Sequence, residues 1–310
     1  MKKRYKFLFT AATLIAVPAA INYYIKNNFS LPFSPKYRQL SYKWKFGDIS
    51  YIKYGSGAPL LLLHNAAMGS AGHEWDNVLN SLARHYTVYV PDMIGFGNSD
   101  KPEISYSAYL YASMINDFIV DVIGAPVYLA AGSKAADFAV ASYRFQPENF
   151  LKMMLISPTG LNGPDEKLPH IKKLIDLPLY GTFAFNIMSS MPAMSWYLKN
   201  KLYYSSDKLD LLTTVKYYKS SHFGGPANKY PVSAGLAGLL DVDISQTITS
   251  IKIPVHIVWG ADNEENSINA VYDLNQRGFN FGFTSFDNSR LLPHCEHPSK
   301  FVKLCLEFFE

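Results

Sequence analysis

Short apolar or alternating runs recur along the chain from residue 42 onward, separated by polar and glycine-rich stretches. Eight of these runs predict β-strands: YKWKF (42–46), ISYIKYG (49–55), PLLLLHN (59–65), YTVYVPDM (86–93), PVYLAAG (126–132), FLKMMLISP (150–158), PVHIVWG (254–260) and FGFTSFD (281–287). Helical periodicity appears at 73–84, 105–123, 134–145, 266–277 and 296–309. Two antiparallel-looking strands followed by strand–helix alternation predict an α/β fold, with a mostly parallel eight-stranded sheet flanked by helices.

One interval breaks the alternation. Residues 160–250, which follow the sixth predicted strand, contain no convincing strand but several helical patches rich in methionine and aromatic residues. An insertion of about 90 residues between two core strands is typical of a lid. We call residues 160–250 the cap. Its apolar side chains either pack the cap onto the core or line a pocket beneath it.

The amino-terminal segment has a different pattern. Lys2, Lys3, Arg4 and Lys6 precede residues 7–25, which carry no charge. Nineteen helical residues extend about 28 Å, enough to cross a bilayer core. Residues 1–26 are therefore predicted to be a membrane anchor that leaves the following domain on the extracytoplasmic side. A cleaved signal peptide, which would give a secreted protein, and a buried amphipathic helix are the alternatives. Residues 27–40 resemble a linker, and residues 41–310 would form one domain.

Charge and cysteine usage exclude several classes of function. The net charge is +4, and four cations lie in the first six residues, so the rest of the chain is balanced. No basic surface for nucleic acid is expected. The two cysteines are predicted to be free, no cysteine or histidine cluster indicates a metal site, and no cofactor motif is present. The sequence identifies neither a protein partner nor an oligomeric state.

Five motifs occur in a fixed order: LLLLHNAAMGS, a turn with Asp92, Gly95, Gly97 and Ser99, then VYLAAGSKAADFA, IPVHIVWGADN and LLPHCEHPSKFVKLCLEFF. In this order the chain from about residue 43 to 310 resembles an α/β-hydrolase with a helical cap, of the serine-esterase type. The resemblance implies a nucleophile elbow, an oxyanion hole and a histidine base oriented by an acid.

Ser133 lies between a predicted strand and a predicted helix, where a tight turn lifts a hydroxyl above the sheet and the helix amino terminus favours negative charge. Such a turn requires small residues two positions before and after the serine, and Ala131 and Ala135 occupy them. Ser133 is therefore the candidate nucleophile. The resemblance places the oxyanion amides at Ala66 and Lys134.

The partners of the serine depart from the family pattern. The position of the acid is occupied by Asn263, with Asp262 one residue earlier. The position of the catalytic histidine is occupied by Leu291, and leucine cannot accept a proton. The nearest substitute is His294, three residues later, and a rearranged loop would have to bring it to Ser133. Alternatively, His294 is an ordinary residue at the start of a helix. His222 of the cap is a further candidate.

Three functions follow from these residues. One is a membrane-tethered protein with weak or no hydrolase activity that binds a hydrophobic or acyl small molecule or a protein partner. Another is an active serine hydrolase of carboxylic esters with a relocated base. A scaffold whose pocket has filled in is the third. A histidine within reach of Ser133 favours the enzyme, because a serine hydroxyl is a poor nucleophile without a base.

Overall fold

The computed structural model describes residues 2–29, 37–163, 166–205, 209–265 and 268–310, with the backbone alone at residues 2–12 and 162. Eight strands form one sheet in the order β1-β2-β4-β3-β5-β6-β7-β8. Their bounds are β1 Gln39–Trp44, β2 Gly47–Gly55, β3 Ala58–Leu63, β4 Tyr86–Pro91, β5 Val127–Gly132, β6 Phe150–Ile156, β7 Val255–Gly260 and β8 Gly282–Phe286. The pairings β1–β2 and β2–β4 are antiparallel and all others are parallel. The predicted fold class is confirmed.

Helices cover both faces of the sheet because the central strands are apolar on both sides. Leu60, Leu61, Leu62 and Leu63 of β3 are all fully buried, alternately facing two separate apolar layers. The helices are α1 Lys2–Phe29, α2 Asp76–Leu82, α3 Ala108–Phe118, α4 Lys134–Phe145, α5 Pro169–Asp176, α6 Tyr180–Met188, α7 Met191–Tyr197, α8 Leu211–His222, α9 Lys229–Leu236, α10 Ser245–Thr249, α11 Asn269–Gln276, α12 Pro293–Glu296 and α13 Pro298–Phe309. A single 3₁₀ turn, Gly72–Trp75, precedes α2.

The cap consists of helices α5 to α10, and the described part of residues 160–250 contains no strand. This arrangement agrees with the helical insertion expected after β6. A third apolar cluster joins the cap to the loop after β8, with Met194, Leu198 and Tyr217 on the cap side and Leu291 on the loop side. The cap is therefore held over the carboxyl edge of the sheet by apolar packing.

The amino-terminal helix packs on the cap. The side chain of Asn22 donates to the carbonyl oxygen of Leu179 at 3.0 Å and accepts from the side-chain amide of Asn186 at 2.9 Å. Where side chains are described, no helix carries an apolar surface long enough to cross a membrane. The predicted membrane-spanning helix is thus not supported by the described residues, although α1 exists and runs three residues beyond residue 26. Most of the predicted linker, residues 30–36, lies outside the described residues.

Asp92 organises the turn that follows β4. Its two carboxylate oxygens accept from the backbone amides of Gly72 and Asn98, each at 2.7 Å. Its side chain is almost fully buried, and Gly97 reaches φ +49° directly against the carboxylate, where a Cβ atom would lie 2.3 Å away. This turn therefore fixes the loop before α2 and the loop after β4 relative to one another.

We expect Asp92→Ala to lower the free energy of unfolding by about 3 kcal/mol or more, because each hydrogen bond to a charged group contributes about 1.5–3 kcal/mol. Urea denaturation followed by circular dichroism measures the change. The exposed Asp287 serves as the matched control, and Asp287→Ala should change stability by no more than about 0.5 kcal/mol. Equal effects of the two substitutions would contradict the structural role given to Asp92.

Candidate active site

The backbone of Ser133 is strained at the junction of β5 and α4. Its dihedral angles are φ 51° and ψ −121°, a region that non-glycine residues avoid and that costs roughly 1–3 kcal/mol. The amide of Ser133 donates to the carbonyl oxygen of Ile156 on β6 at 2.7 Å. Ala131, Ala135 and Ala136 are fully buried around the turn. The predicted elbow is present, and alanine is small enough to replace glycine on both sides of it.

The two candidate oxyanion amides lie on the segments expected to carry them. Lys134 is the first residue of α4, so its amide has no partner within the helix. Its side chain forms an ion pair with Asp241, at the carboxyl end of the cap, instead of projecting into solvent. Ala66 follows Asn65 in the loop after β3 and is 6% exposed.

His64 orients that loop. Its Nδ1 donates to the carbonyl oxygen of Asn65 at 2.6 Å, and its Nε2 accepts from the amide of Met93 at 2.9 Å. Burial lowers the pKa of His64, which keeps the ring neutral with its proton on Nδ1. His64 is therefore a structural residue beside the site and holds the peptide that leads into Ala66.

His294 lies against the elbow. It is the second residue of α12, as the helix-start interpretation expected, yet a methyl group placed on Gly132 would lie 3.7 Å from its Cε1 atom. The ring is fully buried and stacks on Trp75 at a centroid distance of 4.3 Å. Neither ring nitrogen has a hydrogen-bond partner, so the described structure contains no hydrogen bond between His294 and Ser133. Burial lowers the pKa of His294 to about 3.

Leu291 is buried in the apolar cluster between the cap and the loop after β8. The loop itself is held by Glu296, which accepts from the hydroxyl of Ser289 at 3.0 Å and from the amide of Arg290 at 2.9 Å. Its other oxygen accepts from the amide of Tyr204 in the cap at 2.9 Å. Leu291 is therefore part of an apolar contact between core and cap.

The acid candidates do not form a pair with His294. The amide of Asp262 donates to the carbonyl oxygen of Ser289 at 3.0 Å, but no ring nitrogen of His294 bonds its carboxylate. Asn263 accepts from the amide of Glu265 at 3.0 Å, and its own Nδ2 atom is buried without a partner. Among the described residues, the ring of His294 thus lies near the elbow of Ser133, but no acid forms a hydrogen bond with it.

His222 does not serve Ser133 in this structure. Its Nε2 contacts the hydroxyl of Ser189 at 3.2 Å, and its Nδ1 donates to the carbonyl oxygen of Tyr218 at 2.8 Å. Both partners belong to the cap. Both nitrogens of the ring are therefore engaged within the cap.

Glu74 is a buried acid that the sequence pattern did not single out. It lies in the 3₁₀ turn before α2 and is 3% exposed. Desolvation raises the pKa of Glu74 to about 7, although hydrogen bonds from Asn65 and Tyr217 act in the opposite direction. No motif marks it, because its partners come from positions 65 and 217 and meet it only in the folded chain.

Comparisons with known proteins agree with the observed fold. Residues 59–304 match the family described as the alpha/beta hydrolase fold. A stretch of 73 residues is 40% identical to 2-hydroxy-6-oxo-6-(2'-aminophenyl)hexa-2,4-dienoic acid hydrolase of Metapseudomonas resinovorans, covering 23% of this chain and 25% of that one. The match therefore spans about a quarter of that relative.

Two further matches extend over most of the chain. A pimeloyl-[acyl-carrier protein] methyl ester esterase of Aeromonas salmonicida is 22% identical over 84% of this chain and 99% of its own. The crystal structure of a serine hydrolase involved in carbazole degradation superposes with a TM-score of 0.73 over 88% of this chain and 98% of its own, at 21% identity. At that identity the superposition establishes the fold alone.

We expect Ser133→Gly to be more stable than Ser133→Ala by about 1 kcal/mol. Both substitutions remove the hydroxyl, but only glycine relieves a backbone strain of roughly 1–3 kcal/mol in the folded state. The greater freedom of glycine in the unfolded state offsets about 0.5–1 kcal/mol of this gain. Urea denaturation of the two variants in parallel measures the difference. Equal stability, or a more stable alanine variant, would show that the elbow is not strained.

Proposed function

The chain belongs to the α/β-hydrolase fold family, and from that premise we propose that it is a slow serine hydrolase of an ester or similar acyl compound. The observation that carries the proposal is the backbone of Ser133, held at φ 51° and ψ −121°. Strain of this kind persists only where the surrounding structure enforces it and is concentrated at functional sites. A methyl ester esterase among the full-length matches supports an acyl substrate.

In the proposed reaction the hydroxyl oxygen of Ser133 attacks the carbonyl carbon of the substrate and its proton passes to His294. The carbonyl oxygen gains negative charge and accepts hydrogen bonds from the amides of Ala66 and Lys134. Collapse of this intermediate releases the leaving group with the proton from His294 and leaves an acyl group on Ser133. Water then attacks the acyl group, again with His294 as base, and frees the enzyme.

His294 is proposed as the base because its Cε1 atom lies 3.7 Å from the place that a Cβ atom on Gly132 would take, and because neither of its ring nitrogens has a hydrogen-bond partner. Its ring must rotate toward Ser133, since proton transfer requires about 3 Å or one intervening water. With a pKa lowered to about 3 by burial, the ring is neutral at pH 7 and able to accept a proton, but it is a weak base. Slow turnover follows from that weakness.

A second candidate function is a binding protein that no longer turns over its ligand. The observation that favours it is the burial of Leu291 in one apolar cluster with Met194 and Leu198 of the cap, together with the resemblance that places Leu291 at the histidine position. Apolar side chains at this place suit a hydrophobic or acyl ligand. In this alternative the elbow persists as a scaffold and Ser133 contacts the ligand without reacting.

We also propose that α1 attaches the chain to a membrane, with the domain on the extracytoplasmic side. Residues 7–25 carry no charge and follow four cations. The side chains of Leu14, Ile15 and Val17 are 61%, 57% and 49% exposed. An apolar helix surface is normally covered by protein or lipid, and the cap leaves these three side chains exposed.

Fluorophosphonate labelling tests the proposed enzyme. We expect slow labelling of the full chain at pH 7.5, none in Ser133→Ala, and a rate reduced about 100-fold in His294→Phe, the lower end of what a general base contributes. Phenylalanine preserves the ring that stacks on Trp75. Mass spectrometry of the labelled protein locates the adduct.

Asp262→Asn is the control for this experiment. Because no hydrogen bond joins Asp262 to His294, its labelling rate should stay within about threefold of the original, far below the effect of a general base. A labelling rate in His294→Phe equal to that of the original chain would refute the role of His294. A folded protein that is not labelled at all would favour the binding function instead.

Flotation with anionic phospholipid vesicles tests the membrane attachment. We expect the full chain to float with the vesicles and the double variant Leu14→Glu, Ile15→Glu to remain at the bottom, since each charge in an apolar membrane segment costs about 2.5–3.5 kcal/mol. Both side chains are exposed, so the variant should keep the same circular dichroism spectrum. A full chain that does not float would contradict the attachment.

A further inference from the structure

The carboxylate of Glu74 bridges the cap and the loop after β3. Its Oε2 accepts from the amide of Asn65 at 2.8 Å, in the loop after β3. Its Oε1 accepts from the hydroxyl of Tyr217 at 3.0 Å, on helix α8 of the cap. A single buried side chain therefore connects the cap with the loop that carries the oxyanion amide.

The turn around Glu74 also contacts the helix that carries His294. The thiol of Cys295 donates to the carbonyl oxygen of Glu74 at 3.2 Å, and the neighbouring Trp75 stacks on His294. The loop after β3, helix α8 of the cap and helix α12 therefore all contact this turn. Its position suits a residue that coordinates these segments.

The backbone is fixed on both sides of Asn65. Glu74 accepts from the amide of Asn65, and His64 donates to its carbonyl oxygen at 2.6 Å. That carbonyl oxygen and the amide of Ala66 belong to one planar trans peptide and point in opposite directions, so the bond from His64 sets the direction of the Ala66 amide. The bond to Glu74 fixes the preceding peptide, and its loss would allow a rotation about the backbone of Asn65 that turns the Ala66 amide.

We propose that Glu74 is a positioning residue through which closure of the cap sets the direction of the Ala66 amide. When α8 lies on the core, Tyr217 and Asn65 share the carboxylate and the oxyanion donor is aligned. When α8 lifts, Glu74 loses one of its two donors while buried, and the loop after β3 loosens. The catalytic part of this inference rests on the proposed hydrolase; the mechanical coupling does not.

The charge of Glu74 makes the coupling depend on pH. Desolvation raises the pKa of Glu74 to about 7. The ionised carboxylate accepts from both donors, whereas in the protonated form one oxygen carries a proton, so that the bond with the Tyr217 hydroxyl reverses or one of the two bonds is lost. Alignment is therefore strongest above pH 7. The charged and titratable groups that interact with Glu74 are Asp92, Tyr197, Tyr203, Tyr217 and Cys295.

Hydrogen exchange of the full chain tests the coupling without any need for catalysis. In peptides covering residues 63–68 we expect Tyr217→Phe and Glu74→Gln each to speed exchange at pH 8 by about 5-fold, the factor produced by losing one net hydrogen bond. After correction for intrinsic rates, the difference between the original chain and either variant should shrink below pH 6. Tyr217→Phe should add nothing in a Glu74→Gln background.

Lys216→Gln is the matched control. Lys216 precedes Tyr217 on α8 and also joins the cap to the core, through an ion pair with Asp76 at 2.6 Å. Among the described residues, no hydrogen bond or ion pair joins the side chain of Lys216 to the loop after β3. Its loss should leave exchange of residues 63–68 unchanged. Additive effects of Tyr217→Phe and Glu74→Gln, or equal effects of all three substitutions, would overturn the proposal.

Fluorophosphonate labelling then separates this inference from the proposed function. We expect Tyr217→Phe to slow labelling about 10-fold, part of the 10²–10³-fold that an oxyanion donor contributes. The rate of the original chain should rise through pH 7, and that rise should be absent in Glu74→Gln. If the original chain is not labelled, the hydrolase fails while hydrogen exchange still decides the coupling. If labelling occurs but exchange does not respond, Glu74 is not a positioning residue.

Discussion

The strained turn at Ser133 is the constraint on which the site depends. Such a backbone is held only if its surroundings are rigid, and here β5 lies between β3 and β6 while the amide of Ser133 bonds Ile156 at 2.7 Å. Fully buried Ala135 and Ala136 let α4 lie close to the sheet. The turn thus fixes the positions of the hydroxyl of Ser133 and the amide of Lys134 together, independently of the loops above them.

The loop after β8 combines polar contacts with apolar packing against the cap. Glu296 organises this loop by accepting from Ser289, Arg290 and the cap residue Tyr204. Leu291 on that loop contributes apolar burial between core and cap, about 1.5–3 kcal/mol for a leucine side chain. This burial stabilises the closed cap.

Much of the framework was predictable because it follows from local patterns. Each of the eight apolar runs became a strand, with ends no more than three residues from those expected, and α4 has the predicted bounds 134–145. Ser133 was predictable since its signal is local too: a strand, a serine and small residues. The amino-terminal span was predicted from its uncharged run, and the described residues do not support it.

The sequence by itself determined the sheet, the elbow and the absence of a histidine at position 291. Only the tertiary structure decided that His294 lies against the elbow, because α12 folds back onto Trp75. It alone also brought Glu74 to Asn65 and Tyr217, whose positions are 9 and 143 residues away along the chain. Strand and turn preferences act over a few neighbouring residues. Contacts between core and cap depend on where distant segments settle, which no local pattern encodes.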